Sequence, residues 1–580
     1  MASALLIVPC AGAGPAVPEN SMVWPQPQSQ DLGSRIGFVA TPPAFNFVHA
    51  ASSSSKLLAN AFLRCASVAF QHKPEPMTWI GRCDAEPCPP VPTTPDPAKI
   101  LRVLKVSVQS ADESLDLGTS ENYTLSIQFP NATLISETVF GAMRGLETFG
   151  QLVQPDYSIR EQSITDWPRF PFRAVLVDSA RHFLPVPLLL AHLDAMAYSK
   201  LNVLHWHIVD SPSFPYASTR FPHLARGGAF DKRHVYNTTD VARVVAYAHA
   251  RGIRVIAEFD VPGHTFPSWD REAVLAGNSS LLTRCAQYAS SGGYGPLRAD
   301  REQTYNFVGA LFAEVAAAFP DPVLNIGGDE VASGCYESNP EVVTFLRTHN
   351  LTGEQLVGTF AKRVLGLVSG SLGKTPMMWR PGIGDLVAAA DTPIDTIFDV
   401  YGGTGAHKAD QAWYNETATQ TTKAGFRVVR SAGGYLDEFC TLDPDGRHHG
   451  TYWGYWQGWN YYSMDPIVGQ IDEKAGGRPE LVIGGKVNAW GEHIDATNFM
   501  PRVWPRAAVL AERLWSAAAL NDSSLARPRL HEFRCKLVRR GISAEPIASL
   551  KFGEGGPYHV AFCQHDSDIF AYRPPVPWYV

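Results

Sequence analysis

The segment Ile326-Gly327-Gly328-Asp329-Glu330 carries the sharpest chemistry in the chain. Its two glycines allow a close backbone approach, and two adjacent carboxylates then leave one loop in different directions. Adjacent acids raise each other's pKa, so one carboxyl can keep a proton to donate while its neighbour stays ionised. A helix N-terminus, whose dipole favours acids, is the plainer explanation of the pair taken alone. Similar groups recur along the chain: Arg181-His182, His205-Trp206-His207 with Asp210, Asp260 with Gly263-His264, Trp379, Tyr401, Tyr435 with Asp437, and Trp490 with Glu492. Aromatic rings stack on the C–H faces of sugars while carboxylates and Arg take the hydroxyls, so Trp379, Tyr401 and Trp490 point to a sugar. Core packing is the competing explanation, because the chain has 14 tryptophans, among them Trp453, Trp456 and Trp459 in a Gly-rich loop. A metal site built from His205, His207, Asp210 and His264 is another reading, since His205 and His207 share one strand face.

The elements that must position these groups are short β-rich runs alternating with helical patterns. Strands are expected over 173–178, 202–210, 254–260, 323–327, 375–379, 396–401, 427–431 and 481–490. Helical spacing recurs over 187–200, 239–251, 303–319, 355–369, 408–425 and 505–518. Eight such strands predict an α/β fold, a (β/α)8 TIM barrel, whose active site lies at the C-terminal strand ends. The candidate groups stand at or just past those ends. Burying so many ionisable groups is costly unless they are paired or used. A doubly wound open sheet competes, but no GxGxxG follows any of these strands.

Ahead of the barrel, strand patterns at 36–39, 103–108 and 123–129 and a helical pattern at 139–153 predict a smaller α+β domain, a sheet backed by a helix. The expected division is a leader over 1–20, an N-terminal domain over 21–167, and the barrel with a C-terminal extension over 168–580. The leader is atypical: residues 4–8 are apolar and 11–14 small, but no basic residue precedes them and Pro9 breaks the run.

Over 580 residues, 45% hydrophobic and 18% charged content supplies a large core and excludes a disordered chain. A net charge of −7 leaves no basic excess for a general nucleic-acid binder. No apolar run reaches the ~20 residues of a membrane span. Seven N-x-[ST] acceptors, at Asn122, Asn131, Asn237, Asn278, Asn350, Asn415 and Asn521, favour the secretory pathway, lysosomal or extracellular. Nine cysteines, an odd number without CxxC spacing, argue against a zinc module.

Taken in order, Asp178-Ser-Ala-Arg181-His182, Leu204-His-Trp-His-Ile-Val-Asp210, Glu258-Phe-Asp260-Val-Pro-Gly263-His264, Gly327-Gly-Asp329-Glu330-Val331, Tyr435-Leu-Asp437, Trp490-Gly-Glu492 and Pro501-Arg-Val-Trp-Pro505-Arg506 resemble family 20 glycoside hydrolases. The likeness runs from about Val103 to Cys563 and is strongest to eukaryotic β-hexosaminidases of the lysosomal type. It implies an exo-β-N-acetylhexosaminidase, without cofactor or metal, that uses the substrate's 2-acetamido oxygen as nucleophile, an exception to the two-carboxylate scheme. By that resemblance Glu330 is the general acid/base, Asp329 holds the acetamido nitrogen and Tyr435 its oxygen. Trp379 and Trp490 line the acetamide slot. Arg181 and Glu492 clamp the outer hydroxyls, Asp437 meets the 6-hydroxyl, and Asp210 with His264 tunes Glu330.

The chain also departs from the family. Tyr401 stands where a third Trp is usual, Arg380-Pro381 replaces a common Gln-Glu pair, and Lys486 replaces a frequent Glu. The resemblance further implies disulfides Cys285–Cys335 and Cys535–Cys563 and a homodimer with contacts near residues 490–506. Cys65, Cys83 and Cys88 are left open, and Cys10 and Cys440 have no assigned partner. A catalytically silent sugar-binding relative is the alternative from a different class.

Overall fold

The computed structural model describes residues 23–49, 55–70, 96–154, 156–269, 280–285, 294–402, 408–437, 441–442, 448–449, 461–462, 464–467 and 469–547. The leader, Asn278, the tryptophans of the 453–459 loop, and Cys10, Cys83, Cys88, Cys440 and Cys563 lie outside these residues.

A seven-stranded mixed sheet forms the N-terminal unit, in the order Asn46–His49, Val103–Val108, Asn131–Ser136, Tyr123–Gln128, Ser158–Asp166, Ser29–Val39 and Ile100–Leu101. Alternation buries one face: Leu104, Val106, Leu125, Ile127, Leu134 and Ile164 join one apolar cluster. Two helices cover that face rather than the single expected one. Val139–Leu152 begins at Thr138, whose hydroxyl accepts from the Gly141 amide at 3.1 Å. Lys56–Ala69 begins at Ser55, whose hydroxyl accepts from the Leu58 amide at 3.0 Å in the same way. This second helix escaped the sequence reading because it follows a serine run and exposes Leu63 (71%), which blurs its apolar stripe.

The barrel is closed and parallel, with strands β1 (Phe172–Asp178), β2 (Val203–Val209), β3 (Arg254–Phe259), β4 (Val323–Asn325), β5 (Thr375–Arg380), β6 (Ile397–Val400), β7 (Arg427–Arg430) and β8 (Val482–Ala489). β8 pairs with β1 to complete the ring. Helices Val186–Tyr198, Thr238–His249, Glu302–Ala318, Gly353–Gly366, Lys408–Lys423 and Arg506–Trp515 lie within a few residues of the sequence expectation. Between β5 and β6 only the 3₁₀ turns Ile383–Leu386 and Ala389–Asp391 occur.

Inward residues sort by height. Phe172, Ala174, Val203, Ile256, Val323, Met377, Ile397, Val429 and Ile483 plug the N-terminal end with apolar side chains. One pleat further along, the same strands turn His205, Glu258, Asn325, Trp379, Asp399 and Lys486 inward, all buried. The chemistry therefore sits above a dry plug.

Charges join the two units. Glu121 takes Arg144 at 2.7 Å, Arg173 at 2.7 and 2.8 Å, and Asn202 at 3.0 Å. Nearby, Lys200 meets Asp166 at 2.8 Å. Arg173 and Asn202 flank the starts of β1 and β2, so this buried network fixes the barrel floor to the N-terminal sheet. Among the described residues no helix is long and apolar enough to cross a membrane.

Candidate active site

β3 and β4 meet at the Gly327-Gly328 turn. Both glycines have left-handed φ, +65 and +93, and a β-carbon on Gly327 would stand 2.2 Å from the Asp260 carboxyl. Only glycine lets the turn close there. The Gly328 amide donates to Asp260 Oδ1 at 2.7 Å and the Gly327 amide to Asn325 Oδ1 at 2.8 Å. His264 and Glu330 also have positive φ, +53 and +51. Such angles are uncommon outside glycine and cluster at functional sites.

From this turn the two acids diverge, as their loop position suggested. The Asp329 side chain is 12% exposed and that of Glu330 69%. His264 stands between them, its Nε2 3.8 Å from Asp329 and 3.6 Å from Glu330, and its Nδ1 3.2 Å from Asp210. Burial and the neighbouring Asp329 push Asp260 well above the carboxylate range. Burial raises Asp329 too, while the His264 charge and a hydrogen bond from Asp260 work the other way. Asp329 Oδ1 has no hydrogen-bond partner among the described residues, so one carboxylate oxygen is available to a ligand.

Burial opposes charge on His264, but Asp260 and Asp210 outweigh it and raise its pKa well above the usual histidine range. The hydrogen bond from His264 in turn holds Glu330 below its ordinary value. This corrects, for Glu330, the expectation that adjacent acids raise each other, while Glu330 does add to the rise of Asp329. The side chains point apart, and the charged imidazole is the dominant neighbour of Glu330.

Three rings form a cup. Trp379 lies 5.4 Å from Tyr401 and 5.7 Å from Trp490 between centroids, at interplanar angles of 77° and 41°. Arg181 caps Trp490 at 5.1 Å and is held by Asp178 at 3.0 Å and Asp210 at 2.9 Å. Its Nε is 3.8 Å from Glu492, whose side chain is half exposed. Although burial disfavours its charge, Arg181 and His264 keep Asp210 far below the usual carboxylate range. Tyr435 is raised by burial and by the nearby Asp399. Asp437 is pushed up to about 6 by burial and by Glu492. Its Oδ1 also lacks a partner among the described residues. All eleven candidates of the sequence reading thus lie at the C-terminal end of the barrel strands or in the loops that follow them.

Residues 170–518 match the glycosyl hydrolase family 20 catalytic domain, and residues 23–152 match a domain described as beta-acetyl hexosaminidase like. Beta-hexosaminidase subunit beta of Mus musculus is 38% identical over 565 residues, covering 94% of each chain. Beta-hexosaminidase subunit alpha of Rattus norvegicus is 38% identical over 539 residues, covering 91% of this chain and 94% of that one. The solved structure of Flavobacterium johnsoniae chitobiase superposes with a TM-score of 0.70 at 25% identity, covering 90% of this chain and 73% of that one. This chain belongs to glycosyl hydrolase family 20.

As a family 20 glycoside hydrolase, the protein supports its site with residues beyond the eleven candidates. Glu258 accepts from Trp379 Nε1 at 2.6 Å and faces His205 Nε2 at 2.5 Å and His207 Nδ1 at 3.2 Å. His207 reaches Asp210 through Nε2 at 2.8 Å. Burial works against its charge, yet Glu258 and Asp210 raise its pKa to about 10. Asp178 accepts from the amides of Ala180, Arg181 and Gly491, which ties the loop after β1 to the loop after β8. Strand parity was the signal that could have found two of these groups. Glu258 lies two residues before Asp260, and Lys486 four before Trp490, on the same inward faces.

The metal reading of His205, His207, Asp210 and His264 is corrected by these contacts. His205 is held by Lys486 at 2.7 Å on one ring nitrogen and by Glu258 on the other, while His207 bridges Glu258 and Asp210. Both ring nitrogens of His205 and Nε2 of His207 already face side-chain partners, which leaves those nitrogens no place in a shared metal shell. Among the described residues, the side chains with ligand atoms within 4.8 Å of one another are instead Asp260, His264 and Asp329. The implied bridge Cys285–Cys335 is present and ties the segment after β3 to the helix Ser333–Ser338 just beyond Glu330. Cys65 is free and buried, its thiol donating to the Leu146 carbonyl at 3.3 Å.

Proposed function

We propose that this hydrolase is an exo-β-N-acetylhexosaminidase that releases terminal, non-reducing β-linked N-acetylglucosamine or N-acetylgalactosamine from glycoconjugates or chito-oligosaccharides. The substrate supplies its own nucleophile: the acetamido oxygen attacks C1 as the leaving-group bond breaks, giving an oxazolinium that water then opens with overall retention. The carrying observation is the division of labour between neighbours. Asp329 is enclosed with one oxygen unpartnered, and Glu330 is open to the mouth.

Asp329 accepts the acetamido N–H and offsets the positive charge that develops on the ring, where low dielectric makes it most effective. Tyr435 bonds the acetamido oxygen, and Trp379, Tyr401 and Trp490 exclude water around it. Glu330 protonates the glycosidic oxygen and later takes a proton from the attacking water. Its proton is exchanged with His264, whose charge Asp210 anchors. Arg181, Glu492 and Asp437 hold the hydroxyls of the terminal sugar.

The test compares an N-acetyl-β-glucosaminide with the matching plain β-glucoside, and wild type with Asp329→Asn and Glu330→Gln. The acetamido substrate should be turned over and the glucoside should not. Asp329→Asn should lower kcat by about 10²–10³-fold, as for loss of one preorganised transition-state contact. Glu330→Gln should impair a sugar leaving group far more than a nitrophenolate, which needs no proton. Undiminished hydrolysis of the glucoside would overturn the reading.

A secretory location, lysosomal or extracellular, belongs to the same proposal. It is supported by exposure of Asn122, Asn131, Asn237, Asn350 and Asn521. A homodimer is the assembly we propose, supported by the extended likeness to hexosaminidase subunits.

A further inference from the structure

We propose that Lys486 is a positioning residue that locks the ring of His205 and, through Glu258, sets the orientation of Trp379 in the acetamide slot. The proposal rests on the hexosaminidase reading given above. Lys486 is fully buried on the inward face of β8, four residues before Trp490. Its ammonium lies 2.5 Å from Asp399, 2.7 Å from His205 Nδ1 and 3.8 Å from the Trp379 ring centroid.

The Asn325 amide nitrogen also lies 3.1 Å from His205 Nε2, so the lysine places the ring proton: a protonated lysine has three donors and no acceptor, Nδ1 accepts from it, and the proton goes to Nε2. That nitrogen lies 2.5 Å from Glu258 Oε2 in a close ion-pair contact. The other oxygen of Glu258 receives Trp379 Nε1 at 2.6 Å. The Trp379 indole is therefore pinned at its edge by Glu258 and beneath its face by the Lys486 cation, with His205 stacked beside it at 5.7 Å. The polar groups around Lys486 come from several other walls of the barrel: His205 on β2, Glu258 on β3, Asn325 on β4 and Asp329 after it, Asp399 on β6, and Ser431 after β7, which bonds Asp399. None of them can replace the lysine as a donor to Nδ1 without displacing an existing contact.

Lys486→Met alone leaves Asp399 as a lone buried carboxylate and risks misfolding, so the decisive variant is Lys486→Met/Asp399→Asn, which removes both charges together. Three readouts are taken on the full chain: thermal midpoint, kcat and KM for 4-nitrophenyl N-acetyl-β-glucosaminide, and the downfield imidazole N–H proton signal of His205. The signal is assigned by its loss in His205→Gln. The expected result is a folded double variant with a near wild-type midpoint, a raised KM, a kcat/KM reduced at least about ten-fold, and no protected His205 signal. A double variant with wild-type kcat/KM, or one that keeps the His205 Nε2–H signal, would overturn the proposal and leave Lys486 as a charge partner only. If the wild type turned over no N-acetylhexosaminide, the activity reading would fail instead, while the His205 signal would still decide the Lys486 contact.

Discussion

Glu258→Gln should damage both stability and turnover while changing almost no volume. The carboxylate faces Trp379 Nε1 at 2.6 Å, His205 Nε2 at 2.5 Å and His207 Nδ1 at 3.2 Å, with every partner buried. An amide offers one oxygen and one NH₂, so at least one of those N–H groups must meet another donor. His207 also loses the carboxylate that does most to raise its pKa to about 10. Removing one member of a buried charged pair costs about 3–5 kcal/mol. The pH dependence follows from the direction of the His207 shift. Its folded pKa lies above its unfolded value, so the stabilisation is complete below about pH 6.5 and is lost as pH rises through about 10. Urea unfolding followed by tryptophan fluorescence should show a large loss at pH 6 and a smaller one at pH 9.5. Because the Trp379 wall is no longer anchored, kcat/KM should fall by about 10²-fold. A variant within 1 kcal/mol of wild type at pH 6, or one with unchanged kcat/KM, would refute the reasoning.

Three further perturbations probe other parts of the molecule. Gly327→Ala puts a β-carbon 2.2 Å from the Asp260 carboxyl at φ +65, so it should cost about 1–3 kcal/mol by overpacking alone. Its kcat should fall with it, read by denaturant titration and steady-state kinetics on the same preparation. Glu121→Gln strands the buried Arg144 and Arg173 and should cost about 3–5 kcal/mol, while kcat per folded molecule stays at the wild-type value. Burial pushes Asp399 up to about 6 despite Lys486, so the folded state holds this proton more tightly than the unfolded chain. The resulting penalty, up to about 3 kcal/mol at 1.36 kcal/mol per pKa unit, is present above pH 6 and relieved as pH falls towards 4. Asp399→Asn should therefore flatten the rise in thermal midpoint on acidification, whatever its effect at neutral pH.

Much of the site was legible because its signals are local. Apolar runs of strand length ending in Asp, His or Trp locate the rim of a barrel, and Gly327-Gly328 announces a turn that no side chain could occupy. Asp329, Glu330, His264, Arg181 and the three rings were identifiable from such cues and from the resemblance. The helix Lys56–Ala69 was not, since a cap at Ser55 and a stripe interrupted by exposed Leu63 carry little periodic signal. The protonation pattern was not legible either. Adjacency in the chain suggested that Asp329 and Glu330 would perturb each other; Glu330 does add to the rise of Asp329, but His264, from the loop after β3, dominates Glu330.

Residue order alone decided which side chains face inward, because strand alternation is a property of the backbone and needs no knowledge of neighbours. It also decided where the chain turns. Only closure of the barrel decided which inward groups meet: that Lys486 of β8 finds His205 of β2 and Asp399 of β6, and that Glu258 reaches Trp379. The stagger between strands sets those heights, and a hydrogen bond exists only at distances of about 3 Å, far finer than any spacing along the chain can specify.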